Sequence, residues 1–194
     1  MTDHTTETLR TRAREYLARN GTHATASTIH ARTAAAVQAL DRLVADVPVA
    51  LAARMPAPGE WSLHEIVDHL IETHRPSLDE LWCLLAGRRP SGAPIPAGLQ
   101  SKDPLTRPWP WLVREMKQVH ADILAALAGA PPDLPTTVRA PVVMVFNVED
   151  GKGGIVPLHW EDEIDWKAYA MFLRLHVIDH LNQAKKTLAG VEPT

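Results

Sequence analysis

The stretch LRLHVIDHLNQA, residues 173–184, places His176 and His180 four apart in a mostly apolar run. On an α-helix that spacing stacks both imidazoles on one face, one turn apart. Tyr169, Phe172, Leu173 and Ala184 share the face, so it is expected to point inward. A buried imidazole needs a partner, and a divalent transition metal can serve two such rings at once. The competing reading is a pair of hydrogen-bonded core histidines, or a pair lining a wet cleft. The H-x-x-x-H spacing allows a metal site without requiring one.

A third ligand has to come from another element. His64, His69 and His74 fall on one earlier amphipathic segment. His74 lies near the middle of its apolar stripe, and His69 on the flank beside Ser62, Glu65, Ile66 and Thr73. Spacing alone leaves His69 and His74 both open. His64 is next to the start of the segment and is expected in solvent.

The elements that must position these residues can be read from periodicity. Residues 6–20 predict a short polar helix closed by Asn20-Gly21. Ile29, Thr33, Ala36, Val37, Leu40, Leu43, Val44 and Val47 recur at helical spacing before Pro48. Ser62-Leu63-His64-Glu65 is a capping-box sequence opening the next helix. Leu63, Ile66, Val67, Leu70, His74, Leu78, Leu81, Trp82 and Leu85 form its stripe, with a kink expected at Pro76. The proline-rich stretch 88–110 reads as a loop long enough to cover something. A third core helix is expected over about 109–128. VRAPVVMVFNV and IVPLHW, separated by EDGKGG, read as a β-hairpin. It is expected to cover the pocket or a dimer surface. The last helix is expected over about 165–189, ending before Gly190. The fold class is therefore all-α, a four-helix bundle with an extra N-terminal helix and a small β-hairpin insertion before the last helix. Residues 1–22 form the N-terminal extension and 23–194 the bundle domain.

Two signatures carry a resemblance. Trp61-Ser62-Leu63-His64-Glu65-Ile66-Val67-Asp68-His69-Leu70 follows W-S-x-x-E-I-x-x-H-L, and His176, His180 and Gln183 follow H-x-x-x-H-x-x-Q. In this order the chain resembles the DinB/YfiT-like metalloenzyme superfamily from about residue 28 to 189. The resemblance implies a metal held by His69, His176 and His180. HLIETH, from His69 to His74, is similar to the HLADSH-type run of the YfiT-like branch, so His74 either lines the pocket or packs near Pro76, and packing is the expectation. The N-terminal helix and the hairpin depart from the plainest members.

Three protein ligands leave a coordination position open, a mark of catalytic metal sites. The ion would be Zn, Ni, Fe or Mn. The resemblance implies a transferase that activates a low-molecular-weight thiol, or water, for attack on an electrophilic small molecule. The alternatives are a metal-dependent hydrolase, a non-catalytic stress-related protein binding metal or small ligands, and a bundle with no metal. Gln183, Asp179 and His74 are the candidates for catalytic or supporting roles. Gln183 is the strongest partner for a ligand histidine, while Glu65 is explained by the cap and Asp68 by solvent. His159, Glu161, Asp162, Glu163 and Asp165 precede the last helix, where acidic residues suit the helix dipole. His120 is expected to be structural or exposed, and Cys83 a buried small hydrophobe. His4, His23 and His30 have no companions. Trp109 and Trp111 are expected in the core.

Composition narrows the class further. The chain has 194 residues, 45% hydrophobic and 22% charged, enough for a sizeable core. With a formal charge of −3 and no basic run, a nucleic-acid partner is not expected. No apolar run has the length of a membrane span, and the N-terminus lacks a secretion-type apolar segment. Cys83 is the single cysteine, which excludes an intramolecular disulfide. The expected setting is the cytoplasm, the expected partner a small molecule, and the expected assembly a homodimer.

Overall fold

Four long helices pack in a closed ring, and each owes its position to the apolar stripe it carries. The structure is a computed structural model that describes residues 3–149 and 154–191, with the side chains of residues 3–5, 149 and 155 outside that description. His4 and the tip of the EDGKGG turn therefore lie outside it. Helix α1 (Asp3–Leu17) runs into a π-helical turn, Ala18–Thr22. Helix α2 (Ala26–Val44) follows, capped by the Thr25 hydroxyl on the Thr28 N–H. A one-turn helix α3 (Val49–Ala52) begins just after Pro48. Then come α4 (Leu63–Leu85), α5 (Trp109–Ala128), strands β1 (Arg139–Glu149) and β2 (Ile155–Asp165), and α6 (Trp166–Val191). Helix α2 packs on α5 and α6, and α4 packs on the same two, so the ring runs α2, α6, α4, α5.

Helix α4 starts with the expected capping box. The Ser62 hydroxyl accepts from the Glu65 N–H, and the Glu65 carboxylate accepts from the Ser62 N–H. The helix continues through Pro76 to Leu85. The hydroxyls of Thr73 and Ser77 donate to the carbonyls of His69 and Thr73, 2.7 and 2.8 Å away, around the proline. Trp82 departs from the predicted stripe, being 52% exposed.

Helix α6 runs past the predicted end, through Gly190 to Val191. A Cβ at Gly190 would lie 3.0 Å from Pro56 Cβ, so this glycine serves a close approach rather than a helix stop. At the other end, the Asp165 carboxylate accepts from the N–H groups of Lys167 and Ala168, and the Thr22 hydroxyl donates to it. This is the acidic helix start that the sequence suggests.

The two strands are antiparallel, with Ala140 opposite Ile164 and Met144 opposite Trp160. These four side chains and Val142 are buried against Ala13 and Leu17 of α1 and Ile123 and Leu127 of α5. The hairpin therefore closes an apolar end of the bundle together with α1. Val145, Phe146 and Val156 remain exposed. No described helix is long and apolar enough to cross a membrane.

The core falls into two apolar clusters. One joins the hairpin to the C-terminal half of α4, the C-terminal half of α5 and the start of α6. The other joins the N-terminal halves of α4 and α5 to the C-terminal half of α6. His74, His120 and His176 occupy the level between them on α4, α5 and α6.

Candidate metal centre

His69 from α4 meets His176 and His180 from α6. His69 Nε2 is 3.1 Å from His176 Nε2, which is 3.0 Å from His180 Nε2. All three donor atoms lie within 4.8 Å of one another. Three nitrogens held about 2.0–2.1 Å from one ion are spaced by about 2.8–3.4 Å, for square to tetrahedral angles. The separations of 3.1 and 3.0 Å fall inside that range. Within this group of histidines there is no carboxylate among the described residues.

The other ring nitrogens determine which way the lone pairs point. His69 Nδ1 is 2.7 Å from the Leu99 carbonyl oxygen, and His180 Nδ1 is 2.7 Å from Gln183 Oε1. Both oxygens can only accept, so each Nδ1 carries the proton. Each Nε2 then offers a lone pair toward His176. A neutral imidazole has one lone pair and one N–H, and that assignment is the support expected around a metal-ligating histidine.

Burial keeps these rings neutral. His69 is pushed down to about 4, chiefly by burial and then by the neighbouring His180. His176 and His74 are held well below the usual imidazole range, again by burial first and by the surrounding imidazoles second. His180 is lowered by burial, with the Gln183 hydrogen bond working against it. Charged imidazoles would repel one another and any cation, so the site suits lone-pair donors.

The proline-rich loop covers this end of α4. Besides Leu99 on His69, Gln100 Nε2 donates to the Glu65 carbonyl. The Ser101 N–H and hydroxyl donate to the Asp68 carboxylate. Arg107 donates to Asp68 and to Glu72, at 3.1 and 2.7 Å. Asp68 is fully buried, contrary to the expectation of a solvated residue, because the loop that follows α4 folds back over it. Trp61 forms a further wall, its ring centroid 5.1 Å from His69 and 6.3 Å from His180, stacked on the latter. In the sequence Trp61 heads the W-S-x-x-E-I-x-x-H-L signature, and its packing against His69 and His180 is visible only in the fold.

His74 does more than pack. His74 Nε2 is 3.0 Å from His176 Nδ1, and its Nδ1 is 3.0 Å from His120 Nε2. His120 is buried and joined to this row, so of the two expectations for it, structural or exposed, exposure is overturned. No sequence signal linked it to His74, since the two sit on different helices. His64 is 4% exposed rather than solvated, because Trp109 packs against it with centroids 5.8 Å apart. Asp179 faces solvent, on the side of α6 away from its buried stripe. The acidic residues before α6 are engaged elsewhere: Asp162 with Arg14, Glu163 with Arg89, and Asp165 at the helix start. His159 and Glu161 are exposed. His23 and His30 line a separate hollow with Lys167. Cys83 is half-buried. Trp109 is buried and donates to the Val47 carbonyl, and Trp111 is half-buried.

The comparisons with known proteins agree with this architecture. A solved structure is described as "YfiT from Bacillus subtilis is a probable metal-dependent hydrolase with an unusual four-helix bundle topology". It aligns with a TM-score of 0.56 and 15% identity, covering 84% of this chain and 87% of that one. At that identity the likeness shows the bundle fold. No curated protein matches the sequence. The family model of the DinB superfamily matches residues 31–162, more than half of the chain. With the bundle and both signatures in place, the chain belongs to the DinB superfamily.

Proposed function

We propose that this chain is a metal-dependent enzyme in which His69, His176 and His180 hold one divalent transition metal, Zn, Ni, Fe or Mn, through Nε2. The observation that carries the reading is the convergence of three imidazole nitrogens, two of them turned inward as acceptors by Leu99 and Gln183. Bound there, an ion with three protein ligands would keep a position open and lower the pKa of a water or thiol occupying it.

The chain's own residues bind, orient and shield. Leu99 and Gln183 hold the rings of His69 and His180. Trp61 walls one side and would position an apolar part of a small substrate. Among the described residues no side-chain base stands in the group: Glu65 is held in its capping box, Asp68 by Ser101 and Arg107, and Asp179 faces solvent. Gln183 and His74 act through the ring nitrogens of His180 and His176 rather than on substrate. A site without its own base favours a nucleophile that is already fairly acidic. A thiol, near pKa 8.5 when free, needs less help than water. We therefore put transfer of a low-molecular-weight thiol to an electrophilic small molecule first. Hydrolysis is second, supported by the description of the YfiT structure. A binding protein without turnover would use the same three histidines.

Elemental analysis of the untagged protein tests the metal. About one divalent transition ion per chain, lost in His180→Ala, is expected. Absence of metal in the wild type, even after incubation with Zn, Ni, Fe or Mn salts, would remove the proposal. Cobalt-loaded protein then separates the nucleophiles. A thiolate charge-transfer band on adding a small thiol supports the transferase; no band, with ester or amide cleavage, supports the hydrolase.

A further inference from the structure

The three-histidine group is one end of a longer row. His176 Nδ1 faces His74 Nε2 at 3.0 Å, and His74 Nδ1 faces His120 Nε2 at 3.0 Å. His120 Nδ1 then faces Asp41 Oδ1 of α2 at 4.0 Å. That nitrogen and that oxygen are both buried, and neither has a hydrogen-bond partner among the described residues. The row crosses the whole bundle, using α6, α4, α5 and α2 in turn.

Hydrogen-bond arithmetic gives the row a direction. Each neutral imidazole has one N–H and one lone pair, so every ring along it must point the same way. In one direction His176 carries its proton on Nε2, and the row ends with a lone pair of His120 facing the Asp41 carboxylate. In the other, His176 Nδ1–H donates to His74, His74 Nδ1–H donates to His120, and His120 Nδ1–H points at the carboxylate. Only the second turns the His176 Nε2 lone pair toward those of His69 and His180. It is also the one that Asp41 favours, since a carboxylate attracts an N–H and repels a lone pair. A separation of 4.0 Å is longer than a direct hydrogen bond, so the Asp41 end acts through its charge.

We propose that His74, His120 and Asp41 are positioning residues that hold His176 as its Nδ1–H tautomer, so that its Nε2 completes the cation-binding trio. The inference rests on the metal reading above. The three residues touch neither the ion nor the substrate. They select which nitrogen of His176 is available, from as far as the opposite helix. Such support typically changes metal affinity about 10–100-fold.

The test uses the full chain loaded with zinc and labelled with 15N-histidine. Two-bond proton–nitrogen correlation spectra report the tautomer of each ring. His176, His74 and His120 are all expected as Nδ1–H. Either His74 or His120 as Nε2–H in the loaded protein overturns the row. Zinc affinity, read by competition with a chelator, supplies a second measure. His120→Leu is expected to bind about tenfold more weakly. His120→Gln, whose amide oxygen can take the place of Nε2, is expected within about threefold of wild type. A folded His120→Leu protein with wild-type affinity overturns the proposal. If it does not fold, Asp41→Ala, at a half-buried position of α2, is expected to weaken zinc about threefold, and unchanged affinity there counts against the row. A wild type that binds no zinc overturns both readings. Binding with a reversed row overturns this one alone.

Discussion

Asp68 holds Ser101 by two hydrogen bonds, from the backbone N–H at 2.9 Å and from the hydroxyl at 2.8 Å. Two residues before Ser101, the Leu99 carbonyl reaches His69 Nδ1. The aspartate one position before His69 thus fixes the loop that orients His69. Asp68→Ala would leave the Ser101 donors unpaired and strip Arg107 of one carboxylate. The expected cost is about 2–3 kcal/mol of stability. Zinc affinity should fall about tenfold as the Leu99 carbonyl loosens. Chemical denaturation and zinc competition measure the two effects. A variant that loses stability but keeps its zinc affinity would show that the loop does not orient His69.

Gln183 offers the same test on α6. Its Oε1 accepts from His180 Nδ1, one turn along the helix. Gln183→Leu removes the acceptor without charging the site, and zinc should bind about tenfold more weakly. Gln183→Glu keeps an acceptor and should bind at least as well as wild type. Calorimetric titration with zinc distinguishes them. Equal affinity for all three proteins would mean that His180 is oriented by packing alone.

The metal-free protein should lose stability in acid from near neutrality. The His69 pKa is depressed in the folded state to about 4, below the unfolded value near 6.5. Between those values the unfolded chain binds the extra proton, so stability rises with pH. The contribution is fully present above about pH 6.5 and is lost as pH falls through about 4. The lowered pKa values of His74, His176 and His180 have the same sign. Denaturant midpoints from pH 7.5 down to 4 should fall, and His69→Gln should flatten part of the slope. A pH-independent midpoint in the wild type would mean that these rings are solvated.

Gly21 lies in the π-helical turn where the N-terminal segment crosses the start of α6. A Cβ there would sit 2.7 Å from Ala168 Cα and 3.0 Å from its nitrogen, both backbone atoms that cannot rotate aside. Gly21→Ala should cost about 1–3 kcal/mol. A thermal scan should show a lower Tm with zinc affinity retained. An unchanged Tm would mean that the crossing has room to widen.

Much of this protein is written locally. The S-x-x-E box at Ser62 sets the start of α4, because a cap depends on atoms three residues apart. The periodic apolar stripes set α2, α4, α5 and α6, and the β-branched run at 138–148 sets the hairpin. His176 and His180 could be paired from the sequence, since one helical turn brings i and i+4 together whatever the rest of the chain does. The Gln183–His180 contact follows from the same local rule. Where packing decided the outcome, local rules misled: Gly190 read as a helix end and Trp82 as core.

Only the tertiary structure decided what those residues meet. His69 reaches His176 across 107 positions of sequence, and spacing on α4 could not rank it above His74. His74, His120 and Asp41 lie on three separate helices, and their alignment depends on how those helices pack. Asp68 reads as an ordinary surface acid until a loop more than 30 residues away folds over it. The division has a physical cause. Helix geometry is set by bonds within a turn, so it can be read from a short stretch. A site built across helices depends on the ring in which α2, α6, α4 and α5 bury their stripes against one another, and only the packed chain determines that arrangement.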